Sequence, residues 1–197
     1  MKSLQIVGRK KSGKTSLIVR LVPLLQAHDL RVGTVKHSAH PHPHDREGSD
    51  SWLHRRAGAE ATLAITAAGI SLHADVPERE DEVVSLVGRY LGELDLVLIE
   101  GWAMHPGPKV EVVPADKQGA LRQPRFLESG ELIAAMVAPG VRPGPEALAP
   151  WGAWHRSGES VPPPAPAVTP AGSGLIPCFP WEGAEPLAQF ILAWYRS

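Results

Sequence analysis

Apolar residues recur along this chain in two rhythms. Leu4-Gln5-Ile6-Val7 is a short, mostly apolar run that closes on Gly8, and Leu96-Val97-Leu98-Ile99 is a continuous one between Asp95 and Glu100. Runs of this length without polar alternation predict strands buried on both faces, as in a parallel sheet. Leu17, Ile18, Leu21, Leu24 and Leu25 follow instead at helical spacing. Pro23 falls among them and, lacking a backbone donor, is expected to kink or shorten that helix. A second strand is predicted over residues 31–36, where Val32 and Val35 lie, and a short helix over 50–57 with Asp50 near its start. Residues 62–65 and 70–73 flank Ala67-Ala68-Gly69, a hairpin pattern. Residues 78–94 open with acids and repeat Val83, Leu86, Val87, Tyr90 and Leu91, an amphipathic helix whose negative end suits a helix N-terminus. Strands are predicted at 109–113 and 132–137. A closing helix over 185–195 carries Leu187, Phe190, Ile191 and Trp194 on one face.

Strands alternating with helices predict an α/β fold whose sheet is mostly parallel and has helices on both faces. The hairpin extends it. Residues 138–174, crowded with Pro and Gly and including Pro162-Pro163-Pro164, read as an irregular excursion within a single domain spanning 1–197. At 197 residues the chain suits one such domain. Hydrophobic residues make up 43% and charged residues 21%, a globular balance that excludes a disordered or coiled-coil protein. Twenty Lys and Arg against 21 Asp and Glu argue against broad nucleic-acid binding. The single cysteine, Cys178, has no partner for an internal disulfide, fits a reducing compartment, and reads as a small apolar filler. No apolar stretch is long enough for a membrane helix, and the residues before Gly8 are too few for a signal h-region, so a cytoplasmic protein is expected.

Gly8-Arg9-Lys10-Lys11-Ser12-Gly13-Lys14-Thr15 satisfies the G-x-x-x-x-G-K-[ST] pattern between a predicted strand and a predicted helix, the context its chemistry demands. The two glycines let the backbone turn sharply and approach phosphate oxygens without a Cβ in the way. Successive amides of the loop and the positive end of the following helix then face one anion. This makes the fold class P-loop NTPase-like. Gly8, Lys10, Lys11, Ser12, Gly13, Lys14, Thr15 and Ser16 are the expected phosphate-binding positions, with Lys14 neutralising β/γ oxygens and the Thr15 hydroxyl ligating Mg²⁺.

A carboxylate from another core strand is needed on the metal side. Glu100 stands at the C-terminal end of its strand, where ligands of open α/β sheets bind, and Gly101 lets the chain turn close by. It reads either as that metal-side or water-positioning acid, the one catalytic candidate, or as an ordinary strand-end acid. Asp95, at the other end, reads as capping or solvating the start of the strand. Asp50 serves either Mg²⁺ through water or its own helix as a cap. After Thr34-Val35-Lys36-His37 come His40, His42 and His44 among prolines. That loop reads as a metal centre, a loop that folds over substrate, or an inert connection, with Lys36 the residue best suited to an anionic ligand.

Taken together, Gly8–Thr15, Thr34-Val35-Lys36-His37, Gly48 with Asp50-Ser51, Arg56-Ala57-Gly58-Ala59, Leu98-Ile99-Glu100-Gly101 and Pro108-Lys109-Val110-Glu111-Val112 resemble the molybdopterin-guanine dinucleotide biosynthesis adaptor family, MobB, across residues 3–115. The resemblance implies a homodimer that binds GTP with Mg²⁺ and hydrolyses it weakly at most. Its implied partner is the guanylyltransferase that joins GMP to molybdopterin, with molybdopterin or its dinucleotide at hand. It places phosphate and Mg²⁺ contacts at Gly8, Gly13, Lys14 and Thr15, completes the magnesium side with Glu100, and lines the substrate face with Lys36 and His37. The chain has no asparagine, so an Asn-Lys-x-Asp base-reading motif is absent and guanine preference follows from kinship alone. Two rivals remain at this stage. One is an ATP-dependent transferase or ligase of the dethiobiotin synthetase type, which shares the Glu100-Gly101 pattern; the other is a metal chaperone built on the histidine loop. No residue stands out as general base or internal arginine finger; Arg9, Arg55 and Arg56 qualify by charge alone.

Overall fold

Six strands run in one direction through the larger part of the molecule: β1 (Lys2–Gly8), β2 (Val32–Lys36), β5 (Leu96–Glu100), β6 (Lys109–Val113), β7 (Leu132–Val137) and β8 (Cys178–Phe179). The structure, a computed structural model, describes residues 1–38, 45–115, 122–127, 129–139 and 176–197. The strands pair in the order β2-β5-β1-β6-β7-β8, every pair parallel, so their C-terminal ends share one edge. Parallel pairing requires crossovers, and the chain supplies one at once with α1 (Lys14–Gln26). The irregular excursion expected over 138–174 lies outside the described residues apart from Ala138 and Pro139.

The strand residues alternate between two environments. Leu4, Ile6, Leu96, Leu98, Val110, Val112, Ala134 and Met136 join Leu17, Leu21 and Leu25 of α1 and Leu187 and Ile191 of α4 (Ala184–Arg196) in one core. Each leucine or isoleucine buried there contributes roughly 1.5–3 kcal/mol. The alternate residues Val113, Ala135, Val137 and Cys178 form a second, smaller cluster. Burial pushes the Cys178 thiol up to about 12, so it stays protonated at neutral pH.

That second face is also where polar side chains are buried. Lys109 is fully buried; its ammonium donates to the carbonyls of His105 (2.8 Å) and Gly107 (3.1 Å) and meets Glu131 Oε2 at 2.8 Å. Glu111 Oε2 accepts from the amides of Arg125 (2.7 Å) and Phe126 (3.3 Å), and burial raises its pKa. The Gln5 amide donates to the carbonyls of His105 and Pro106. These side chains satisfy the backbone of irregular segments that no strand pairs.

The predicted helix over 17–25 is observed as a longer one, and Pro23 does not end it. The helix runs three residues past the proline, where the Ala27 amide donates to the Pro23 carbonyl. The missing donor falls opposite the Val19 carbonyl, and Val19 is an exposed residue of the helix rather than one of its core positions. Asp95 takes the Arg31 amide at 2.7 Å and its guanidinium at 3.3 Å, tying the start of β5 to that of β2; the amide bond, above all, lowers the carboxyl's pKa.

Residues Ser38–Tyr90 make a second unit. It contains α2 (Asp50–Arg56), the hairpin β3 (Ala61–Thr66) and β4 (Gly69–Ala74), and most of α3 (Glu80–Leu91). Asp50 does not cap α2. Ser49 does, its hydroxyl accepting from the Trp52 amide at 3.2 Å, and Asp50 is the first helical residue. A serine hydroxyl one residue earlier reaches that amide in the extended conformation a cap requires. In the hairpin, Leu63 pairs with Leu72 and Ile65 with Ile70, and all four are exposed. Successive residues of a strand point to opposite faces, so these two pairs make an apolar ladder on one face.

Candidate functional site

The loop between β1 and α1 has the conformations its glycines were expected to permit. Gly8 has φ +146° and Gly13 φ +102°, and Lys11 between them is left-handed at φ +61°. At Gly8 an added Cβ would lie 2.7 Å from the Val112 carbonyl oxygen and 2.8 Å from Ser12 Oγ, so only glycine fits there. Gly13 precedes the helix without a side-chain cap, and the first intrahelical bond runs from the Leu17 amide to the Gly13 carbonyl at 2.9 Å. The amides of Lys14, Thr15 and Ser16 therefore belong to the turn that has no intrahelical acceptors. Ser12 Oγ is buried and has no hydrogen-bond partner, an orphaned polar atom inside the loop. Lys10 and Lys11 stand exposed on its outer side.

The charged residues converge. Lys14 Nζ folds back to donate to the carbonyls of Gly8 (3.2 Å) and Arg9 (2.8 Å). Thr15 Oγ1 donates to Glu100, 3.0 Å from Oε1 and 2.9 Å from Oε2. Lys36 Nζ meets Glu100 Oε1 at 3.1 Å. Strand register explains the meeting: β5 lies between β1 and β2, with Glu100 opposite Ile6 on one side and Lys36 on the other. Burial lowers the Lys14 pKa; Glu100 opposes that effect and Lys36 adds to it. An ammonium that burial disfavours gains from an incoming anion, since the anion supplies the countercharge that water no longer does.

The Thr15 hydroxyl and Glu100 carboxylate are hard oxygen donors already side by side, a pair that suits Mg²⁺. Together with the orphaned Ser12 hydroxyl and the uncapped helix start, they fit a magnesium–polyphosphate group. His37 continues the edge: its amide donates to the Glu100 carbonyl at 2.9 Å, and its ring stacks on Trp102 with centroids 5.1 Å apart and planes 6° apart. Trp102 stacks in turn on His105 at 4.4 Å. Gly101, at φ +87°, makes the turn between them, because a Cβ there would lie 2.6 Å from the His37 carbonyl oxygen.

Of the residues expected from sequence, Gly8, Ser12, Gly13, Lys14, Thr15, Ser16, Lys36, His37 and Glu100 share this edge. Asp50 belongs to the second unit, as do Arg55, paired with Asp75, and Arg56, whose guanidinium lies over the Trp52 ring. His40, His42 and His44 lie outside the described residues. Among the described residues no group of three or more His, Cys, Asp or Glu gathers as a metal site. Sequence reading missed Trp102 and His105, as well as the β8 strand. Trp102 follows Glu100-Gly101 directly and was within reach of a reading that asked what a turn at Gly101 presents.

Comparison with known proteins adds a separate line. A sequence model of the family described as molybdopterin guanine dinucleotide synthesis protein B matches residues 3–138. A molybdopterin-guanine dinucleotide biosynthesis adapter protein of Haemophilus influenzae is 36% identical over 109 residues, 54% of this chain and 60% of the relative's length. One of Escherichia coli is 33% identical over 129 residues, 64% of this chain and 72% of the relative. Among solved structures, molybdopterin-guanine biosynthesis protein B aligns with TM-score 0.61 at 23% identity over 99% of both chains. MobB of Bacillus subtilis gives 0.61 at 22% identity, over 99% of this chain and 98% of that one. At these identities the structural likeness speaks for the fold.

Proposed function

Because the chain belongs to the molybdopterin guanine dinucleotide synthesis protein B family, we propose that it is a GTP-binding adapter in the making of molybdopterin guanine dinucleotide. In this reading it holds GTP with Mg²⁺ in the Gly8–Thr15 cradle and presents the nucleotide to a guanylyltransferase. The single observation that carries the reading is the convergence of Thr15, Glu100, Lys36 and Lys14 on the uncapped start of α1.

Each residue has a distinct task. The loop amides and those of Lys14, Thr15 and Ser16 bind phosphate oxygens, and the helix end favours their charge. Lys14 leaves the Gly8 and Arg9 carbonyls for the β/γ oxygens. Thr15 and Glu100 hold Mg²⁺, which neutralises phosphate charge there. Lys36, displaced from Glu100, adds a second ammonium at the γ end, next to His37. Among the described residues of this edge Glu100 is taken up by Thr15 and Lys36, which supports hydrolysis that is weak at most and a nucleotide that survives for the partner enzyme. The cell compartment proposed is the cytoplasm; no helix among the described residues is long and apolar enough to cross a membrane. The exposed ladder of Leu63, Ile65, Ile70 and Leu72 supports a homodimer, since an apolar face of this kind is stabilised by a second copy.

Isothermal titration with GTP and ATP, each with and without Mg²⁺, tests the proposal. GTP is expected to bind in a Mg²⁺-dependent way, and Lys14→Ala to weaken it about ten- to a hundredfold, the worth of hydrogen bonds to a charged group. Absence of GTP binding with Mg²⁺ present, or indifference to Lys14→Ala, would refute it. Turnover of a carboxylic acid with ATP by the purified protein alone would favour the ligase reading instead.

A further inference from the structure

The cradle has a second flank, and it is occupied by residues beyond the 3–138 span that the family model matches. Sheet order sets the two flanks apart. Glu100 and Lys36 end β5 and β2 on one side of β1, whereas β6, β7 and β8 lie on the other. All these strands are parallel, so the residues that follow β7 and β8 open on the same edge as the phosphate loop. They are Pro139, two residues past β7, and Trp181, two residues past β8.

Both reach the loop. An ideal Cβ on Gly13 would lie 2.9 Å from Trp181 Cη2, 3.2 Å from its Cζ3 and 3.2 Å from Pro139 Cδ. A side chain at position 13 would displace the indole, and the left-handed backbone there favours glycine in any case. The indole is also held from outside the turn. Arg20, on α1, donates to the Trp181 carbonyl at 2.6 Å and to the Glu182 carbonyl at 3.3 Å, and its guanidinium lies 5.1 Å from the ring centroid. Trp181 packs against the main core on one side and remains half-buried.

We propose that Trp181, with Pro139 beside it, forms the nucleoside wall of the cradle and holds the base of a bound purine nucleotide. The inference rests on the polyphosphate reading above. If the terminal phosphates lie toward Thr15, Glu100 and Lys36, the other end of the phosphate chain leaves over Gly13 toward β7 and β8, where the indole stands. An aromatic wall binds any purine through its π-face or edge, without reading its hydrogen-bond pattern. Trp181 therefore supplies affinity for the base and not the choice between guanine and adenine. This fits a chain that contains no asparagine for a base-reading motif.

The test compares Mg²⁺–GTP, Mg²⁺–ATP and base-free Mg²⁺–tripolyphosphate by isothermal titration on the full chain. Wild type, Trp181→Ala, Trp181→Phe and Lys14→Ala are titrated, each checked for native far-UV circular dichroism. Trp181→Ala should weaken both nucleotides about tenfold, the typical loss on removing an aromatic that stacks on a base. Tripolyphosphate affinity should change by less than about twofold on that estimate of a base-only contact, and Trp181→Phe should restore most of the nucleotide affinity. Equal losses for nucleotide and tripolyphosphate, or no loss for either nucleotide, would overturn the wall while Lys14→Ala still weakened binding of all three. Failure of the wild type to bind any of the three would overturn the phosphate reading and the wall with it.

Discussion

Replacing Lys109 with methionine separates what this segment does for folding from what the proposed nucleotide site asks of the chain. The segment Pro108-Lys109-Val110-Glu111 was one of the patterns that pointed to the family, and a lysine near a P-loop invites assignment to phosphate. The structure assigns it elsewhere. Its side chain is fully buried, with its ammonium on the carbonyls of His105 and Gly107 and on Glu131. Lys109→Met keeps most of the volume, so no large cavity adds to the cost. What is lost is the donor to two carbonyls at 2.8 and 3.1 Å, whose bonds to a charged group are worth about 1.5–3 kcal/mol each. Relief of burying an ammonium offsets part of that loss, because a lysine costs several kcal/mol to desolvate. The Glu131 contact, which above all lowers that carboxyl's pKa, adds to the loss, discounted because the carboxylate is 32% exposed and water takes over in part. The net expectation is a destabilisation of about 2–3 kcal/mol. Urea unfolding followed by circular dichroism measures it, alongside GTP titration below the transition. Unfolding should shift to lower urea while GTP affinity of the folded protein stays near wild type, the reverse of Lys14→Ala. An unchanged urea midpoint with an unchanged slope would refute the account of Lys109 as a structural clamp, and so would loss of GTP binding by a protein still folded.

The buried carboxyl beside it carries a pH signature. Burial raises the Glu111 pKa above that of the unfolded chain, so the folded state binds more protons across that interval. Its contribution to stability is therefore fully present below the ordinary carboxylate value and is lost as pH rises through the folded pKa. Glu111→Gln keeps an acceptor for the Arg125 and Phe126 amides and removes the titration, so urea midpoints measured from pH 4 upward, about the ordinary carboxylate value, should decline less steeply than in wild type; parallel curves would count against it. In the hairpin, Leu63→Ser with Ile70→Ser removes apolar side chains that are exposed in the single chain, so the stability of each protomer should barely change. Sedimentation velocity should show a shift from dimer toward monomer, and an identical sedimentation coefficient in both proteins would end the assignment of that face to self-association.

Much of the scaffold was legible because its signals are local. The run from Leu96 to Ile99 reads as a buried strand in any context, and the spacing of Leu17, Leu21 and Leu25 reads as a helix face. The two glycines and Lys14-Thr15 announce a tight turn from strand into helix because backbone conformation, and not a distant contact, fixes the glycines. The reading failed where two local solutions were close in energy: Pro23 did not shorten its helix, and Ser49 took the cap from Asp50 because one residue of offset lies within the reach of either side chain.

The sequence by itself determined which residues can turn sharply, which must be buried, and where the glycine-bounded loop sits between strand and helix. Only the tertiary structure decided that Glu100 stands between Thr15 and Lys36, since strand order and register bring together residues that are 85 and 64 positions apart. The fold likewise gave Lys109 and Glu111 to the inner face and Trp181 to the loop, from a two-residue strand too short to leave a periodic trace. The physical reason is the same in each case. Periodicity and backbone preference act over a few residues, whereas pairing order is settled by the free energy of the whole sheet.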